Sequence, residues 1–268
     1  MSREADPALL ESMITAAAEA AEVTRRIYLS GFEVQRKADR TPVTAADHAS
    51  EALILERLGQ VAAEVPVVAE EEVAAGRIPL VGDEFFLVDP LDGTREFVAR
   101  RGEFTVNIAL IRAGFPVLGV VCAPVDGALF AGNVGLGQAF RTRVGEGGSI
   151  AERTPIRVRA VPQHGLTVVS SRSHSTPQTD AYLTAYTVAE RVSVGSSLKF
   201  CLVAAGEADL YPRLGPTMEW DTAAGHAVLE AAGGQVQAPG GVPLRYGKPG
   251  FRNSFFVASG ALNPRSLP

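Results

Sequence analysis

Apolar residues recur at helical spacing from Leu9 and Leu10 through Met13, Ile14, Ala17, Ala20, Ala21, Thr24, Ile27 and Tyr28. Asp6 precedes Pro7 as a cap precedes a first-turn proline, and Gly31 supplies a stop, so the spacing predicts a helix over 7–31. Thr44-Ala45-Ala46-Asp47 has the form of a capping box and opens a second helix that runs to Gly59. Short apolar runs then predict strands at 65–69, ending in Glu70-Glu71-Glu72, and at 84–88, ending in Asp89-Pro90. Gly76, Pro79 and Gly82 mark the loop between them. Residues 105–111 and 117–123 read as a hairpin about Arg112–Pro116, and 128–131 follows the turn Val125-Asp126-Gly127.

The pattern changes after a charged stretch, 141–155, that carries Gly145, Gly147 and Gly148. Beyond it, strands at 166–170, 191–194, 208–211 and 255–258 alternate with helices at 176–186, 197–205 and 222–232. The expectation is therefore an α+β first half, 1–155, and an α/β second half, 156–268. Gly132 to Gly137 has its glycines in the wrong order for a dinucleotide fingerprint and is better read as turns.

Composition narrows the classes. With 46% hydrophobic and 21% charged residues, the 268-residue chain has the mix of a folded protein rather than a disordered one. A net charge of −5, from 25 basic and 30 acidic side chains, argues against a nucleic-acid partner. No apolar run approaches the ~20 residues that span a bilayer. The polar start lacks a secretory core, and the first helix mixes both charge signs. Two cysteines, Cys122 and Cys201, are too few for a disulfide framework and read as buried small side chains in a reducing cytoplasm.

The candidate chemistry lies in carboxylates at strand ends. Glu70 follows one strand; Asp89 ends another, with Asp92 three positions on in Asp89-Pro90-Leu91-Asp92-Gly93-Thr94; Asp221 stands at the start of a late helix. Ligands collect beyond the carboxyl ends of strands in open α/β sheets. Carboxylates without His or Cys among them suit a hard cation such as Mg²⁺. Without one they repel each other and their pKa values rise. Pro90 needs no N–H partner, Gly93 lets the backbone approach a ligand, and a helix beginning near Thr94 would aim free amides at an anion. Taken singly, each residue also has a plainer reading: Asp89 and Asp92 as turn residues, Thr44 and Asp221 as helix caps, Asp47 as the acidic member of the capping box. There is no Gly-x-Ser-x-Gly elbow and no P-loop, and the histidines show no metal-binding spacing.

Glu70-Glu71, Asp89-Pro90-Leu91-Asp92-Gly93-Thr94 and Trp220-Asp221-Thr222-Ala223-Ala224-Gly225, in that order, resemble the three motifs of the inositol monophosphatase superfamily. Gly102-Glu103-Phe104-Thr105-Val106-Asn107, Ser171-Arg172-Ser173-His174 and Gly195-Ser196-Ser197-Leu198-Lys199 resemble its 3′(2′),5′-bisphosphate nucleotidases of the CysQ type. The resemblance implies a layered α-β-α-β-α sandwich and a lithium-sensitive phosphatase with two or three Mg²⁺ ions. It implies Glu70, Asp89, Asp92, Asp221 and the Leu91 carbonyl as metal ligands. Asp47 and Thr94 would activate water, with Glu70 counted among the catalytic groups, and the Gly93 and Thr94 amides would hold the scissile phosphate. Leu91, Asp92 and Asp221 would touch substrate as well as metal.

The implied substrate is adenosine 3′,5′-bisphosphate, with 3′-phosphoadenylyl sulfate as a second, in sulfur assimilation. Ser196 and Lys199, at i and i+3 near a helix start, can face one anion, and Arg213 adds a fork of donors where inositol-specific relatives carry an acidic residue. With His174 they are assigned to the 5′-phosphate or nucleotide end; the plainer reading is solvated surface charge for Lys199 and Arg213 and a loop residue for His174. Trp220 is either an adenine platform or, more simply, packing. The rivals are an inositol or sugar phosphatase and a non-catalytic metal- or phosphate-binding module. The implied place is the cytoplasm or the cytoplasmic face of the inner membrane, as monomer or homodimer.

Overall fold

A computed structural model of the chain describes residues 6–36, 42–171 and 176–267. In chain order its elements are α1 (Pro7–Ser30), β1 (Val34–Arg36), β2 (Pro42–Thr44), α2 (Ala45–Val61), β3 (Val67–Ala69), α3 (Glu70–Ala74), β4 (Glu84–Asp92), α4 (Thr94–Val98), β5 (Thr105–Arg112), β6 (Phe115–Cys122), β7 (Ala128–Asn133), β8 (Gln138–Arg143) and β9 (Thr154–Pro155). There follow β10 (Leu166–Ser171), α5 (Pro177–Leu183), β11 (Val188–Val194), α6 (Leu198–Ala204), β12 (Leu210–Arg213), α7 (Ala223–Ala231), β13 (Gln235–Gln237) and β14 (Phe256–Ser259).

Among the described residues, β3 to β9 form a seven-stranded sheet in sequential order, antiparallel except for the β3–β4 pair. A second sheet has the order β11-β10-β12-β14-β13 and is mixed. Successive residues of a strand point to opposite faces, and both faces of the large sheet are covered. On β4, Phe86 and Val88 pack with Met13, Ile14, Ile54 and Leu58 of α1 and α2. Phe85 and Leu87 pack instead with Phe200, Val228 and Leu229 of α6 and α7. That is why β4, β5 and β6 read as unbroken apolar runs rather than as alternation. The same middle layer reaches Tyr211 and Phe256 of the second sheet, and Tyr182 and Leu183 of α5 cover that sheet's outer side with Leu166, Val168 and Leu210. The result is the expected five-layered α-β-α-β-α sandwich.

Close approach in the middle layer depends on glycine. A Cβ on Gly119 of β6 would lie 2.4 Å from the Ala224 carbonyl oxygen, and one on Gly225 of α7 would lie 2.6 Å from the Phe200 ring. So α7 rests almost backbone to backbone on β6 and side by side with α6. Eight of its nine residues are buried.

Several elements differ from the sequence reading. The helix predicted over 176–186 ends at Leu183, because the Thr184 hydroxyl donates to the Ala181 carbonyl, an alternative to the helical ladder. β4 continues past 88 to Asp92 through an irregularity at Pro90, which lacks the N–H a regular ladder needs. The stretch 141–155 holds the end of β8 and the two residues of β9. No helix among the described residues is long and apolar enough to cross a membrane. Cys122 and Cys201 are both buried and unpaired.

Candidate active site

Helix α2 clamps the two segments that carry the first carboxylates. The Ser50 hydroxyl donates to the Pro90 carbonyl at 3.1 Å, and Glu51 accepts from the Glu71 N–H at 2.8 Å. Glu70 thus opens α3 at a fixed place beside the end of β4. Asp89, on the buried end of β4, accepts from the Leu91 N–H at 3.0 Å, so its turn role is real. Asp92 pairs in register with Thr105 of β5. Gly93 has φ +95°, in the left-handed region, and α4 begins at Thr94 as anticipated. A Cβ at Gly93 would meet the Glu103 carbonyl at 3.3 Å.

Asp47 serves two readings at once. Its Oδ2 accepts from the N–H and the hydroxyl of Thr44, at 2.7 and 2.8 Å, which completes the capping box of α2. Its Oδ1 faces the Thr94 hydroxyl at 3.4 Å, and that hydroxyl also lies 3.3 Å from the Leu91 carbonyl. Thr44 caps α2, but Asp221 does not cap α7; Thr222 holds that position. The Asp221 carboxylate instead turns back to accept from the Met218 N–H at 2.8 Å.

Glu70, Asp89 and Asp221 offer carboxylate oxygens within 4.8 Å of one another. Glu70, Asp89, Leu91, Asp92, Gly93, Thr94 and Asp221 all line one cavity of about 270 Å³. Burial, reinforced by the neighbouring carboxylates, pushes Asp89 and Asp221 well above the usual carboxylate range. Asp92 is pushed up to about 6, chiefly by burial, with Lys199 opposing the shift. A cluster of buried carboxylates that repel each other fits a hard divalent cation in both charge and donor type.

Ser196, Lys199 and Arg213 line the same cavity. The surface reading of these cations is wrong: Lys199 and Arg213 are buried, at 5% and 8% exposure. Lys199 donates to the Ser196 carbonyl, and burial pulls its amine down to about 8. Arg213 donates from Nη2 to the Pro216 carbonyl at 3.0 Å, while its buried Nε has no hydrogen-bond partner. Ser196 has φ +46°, strained for a residue with a Cβ, and its hydroxyl lies 3.1 Å from that of Thr105. His174 lies outside the described residues. Trp220 is buried near Phe251, with ring centroids 6.3 Å apart, and does not line the cavity, so it packs. Sequence reasoning assigned no role to Glu96, Ser171, Tyr211 and Thr217 on the cavity wall or to Asn107 behind it, although the run 171–174 that carries part of the resemblance includes Ser171. The resemblance of 102–107 was the one signal that pointed at Asn107.

Residues 7–261 match the inositol monophosphatase family. The chain belongs to that family. Among its members, the 3′(2′),5′-bisphosphate nucleotidase CysQ of Escherichia coli strain K12 is 42% identical over 256 residues, covering 92% of this chain and all of that protein. The CysQ of Buchnera aphidicola, of the same designation, is 39% identical, with 94% and 93% covered. Among solved structures, CysQ from Bacteroides thetaiotaomicron, described as a bacterial member of the inositol monophosphatase family, is 38% identical and superimposes with a TM-score of 0.78 over 95% of this chain and 98% of that one. An inositol monophosphatase from Anabaena is 28% identical, with a TM-score of 0.74 over 96% and 92%.

Proposed function

We propose that the chain is a metal-dependent 3′(2′),5′-bisphosphate nucleotidase that removes the 3′-phosphate of adenosine 3′,5′-bisphosphate, giving AMP and phosphate, and that also accepts 3′-phosphoadenylyl sulfate. The observation that carries this reading is the lining of one cavity, which an acidic cluster shares with two buried cations, Lys199 and Arg213. A ligand with two anionic groups, one to be cut at the acidic cluster and one to be held by the cations, matches both sets of groups. The 39–43% identical relatives named as bisphosphate nucleotidases support the same substrate class. Residues 1–155 would supply the metal-binding half, and 156–268 would complete the substrate site.

Glu70, Asp89, Asp92, Asp221 and the Leu91 carbonyl would hold Mg²⁺, which when bound neutralises the cluster and lowers the pKa of coordinated water. The remaining steps belong to the chain's own groups. Asp47 takes a proton through the Thr94 hydroxyl as water attacks phosphorus. The backbone amides of Gly93 and Thr94 orient the phosphoryl oxygens. The P–O3′ bond breaks with its electron pair going to the ribose oxygen, and Lys199 and Arg213, with Ser196, keep the 5′-phosphate in place. Positioning and charge stabilisation make up most of what phosphoryl transfer asks of a protein.

The test is phosphate release from adenosine 3′,5′-bisphosphate and from inositol 1-phosphate, with and without EDTA. The reading expects nucleotide turnover that EDTA abolishes. Binding without release would mark a non-catalytic module, and preference for inositol 1-phosphate would mark a polyol phosphatase. Arg213→Glu is expected to lower nucleotide turnover far more than that of a simple phosphate ester; equal losses would remove Arg213 from the substrate site.

A further inference from the structure

A chain of hydrogen bonds, buried at its centre, runs behind the carboxylates and links Asp92 to the backbone of Asp221. The Thr105 hydroxyl donates to Asn107 Oδ1 at 2.9 Å. Asn107 Nδ2 donates to Asp92 Oδ2 at 3.4 Å and to Ser197 Oγ at 3.1 Å. The Ser197 hydroxyl in turn donates to the Asp221 carbonyl at 2.5 Å. Thr105 and Asn107 are completely buried, and Ser197 is 1% exposed. The donor directions are forced. The amide oxygen meets the one hydroxyl that can give to it, and the amide nitrogen meets a carboxylate and a hydroxyl oxygen already committed elsewhere.

We infer that Asn107 is a positioning residue that sets the separation of Asp92 and Asp221, acting on the metal site without being a ligand. The inference rests on the metal-binding reading of the acidic cluster. Asn107 stands on β5 of the large sheet, while Ser197 immediately precedes α6 and Asp221 precedes α7. A single amide therefore links the carboxylate from one sheet to the backbone that carries the other. No other side-chain type of this size serves: an aspartate lacks both donors and adds charge beside Asp92, and a leucine leaves Ser197 and Asp92 without their donor. Partners that hold ligating carboxylates typically matter 10–100-fold in metal affinity or activity.

The test is calorimetric titration of the full-length protein with MgCl₂, alongside the Mg²⁺ dependence of kcat and KM for adenosine 3′,5′-bisphosphate. Asn107→Ala is expected to weaken Mg²⁺ binding about 10–100-fold and to lower kcat at limiting Mg²⁺, with KM at saturating Mg²⁺ within a few-fold. Asn107→Ser, which restores a donor, recovers part of the affinity, and Asn107→Leu, of similar size and without a donor, stands in if Asn107→Ala does not fold. In the Ser197→Ala background the loss on removing Asn107 is expected to shrink, since the two act in one chain. Mg²⁺ affinity within twofold of wild type in a folded Asn107→Ala or Asn107→Leu protein overturns the inference. A wild-type protein that binds no Mg²⁺ overturns the metal reading itself, a separate result.

Discussion

Replacing Gly119 with alanine probes how the sandwich holds its reactive carboxylates. The new methyl would begin 2.4 Å from the Ala224 carbonyl oxygen and 2.6 Å from the Ala227 Cβ, against ordinary contacts that start at 3.4 Å. The first obstacle is backbone, which no rotamer change relieves, so α7 must retreat by about 1 Å or the sheet must bend. Overpacking of this kind costs about 1–3 kcal/mol, and a backbone obstacle puts the change near the upper figure. With a urea m-value of ~3 kcal/mol/M, the midpoint should fall by about 1 M. The displaced helix begins two residues after Asp221, and a 1 Å misplacement near reacting groups can cost about 10²-fold in rate. Urea unfolding followed by circular dichroism, with kcat measured under fully folded conditions, reads both effects. Gly59→Ala is the control. It lies in α2 with nothing within 4 Å of a built Cβ, and it is expected to stabilise by about 0.5–1 kcal/mol and leave turnover alone. A Gly119→Ala protein with wild-type midpoint and wild-type kcat would refute the argument.

Two other perturbations separate roles that the site combines. Asp47→Asn keeps an acceptor for the Thr44 N–H but cannot take a proton, so kcat should drop by about 10²–10⁴ with Mg²⁺ affinity intact; an unchanged kcat removes Asp47 from the chemistry. Burial raises Glu51 to about 7. Between its ordinary pKa and that value the folded protein keeps a proton that the unfolded chain has lost, so stability falls as pH rises through this window, by about 3 kcal/mol in all. Glu51→Gln retains an acceptor for the Glu71 N–H and should flatten the fall in urea midpoint between pH 5 and 7 in EDTA; parallel curves for the two proteins would contradict the assignment.

The long elements were legible because their signals are local. Asp6, Pro7 and Gly31 bound α1, and Thr44 and Asp47 announce α2 within four residues. The one-turn helix α3 was harder, whereas α4 was anticipated at Thr94. Their starts are fixed by a Glu51 carboxylate 20 residues away and by a left-handed Gly93. β8 escaped notice because it is half exposed, with Gln138, Arg141 and Arg143 facing out. The acidic cluster could be read from strand ends, since such residues have few reasons to gather there. That Asp47 divides its two oxygens between a helix cap and Thr94 is a matter of geometry and leaves no mark on the spacing. Asn107 hides inside an apolar strand, with partners 15 and 90 residues distant.

The middle helices have a consequence for how the chain is made. The seven-stranded sheet is complete by Pro155, yet the helices that cover its second face are not synthesised until Leu198 and beyond. A sheet folded in that interval would leave Phe85, Leu87, Ile111 and Val121 without the helices that bury them, a greasy surface of the sort that invites chaperones or misassembly. The nascent protein must wait for its own interior to arrive.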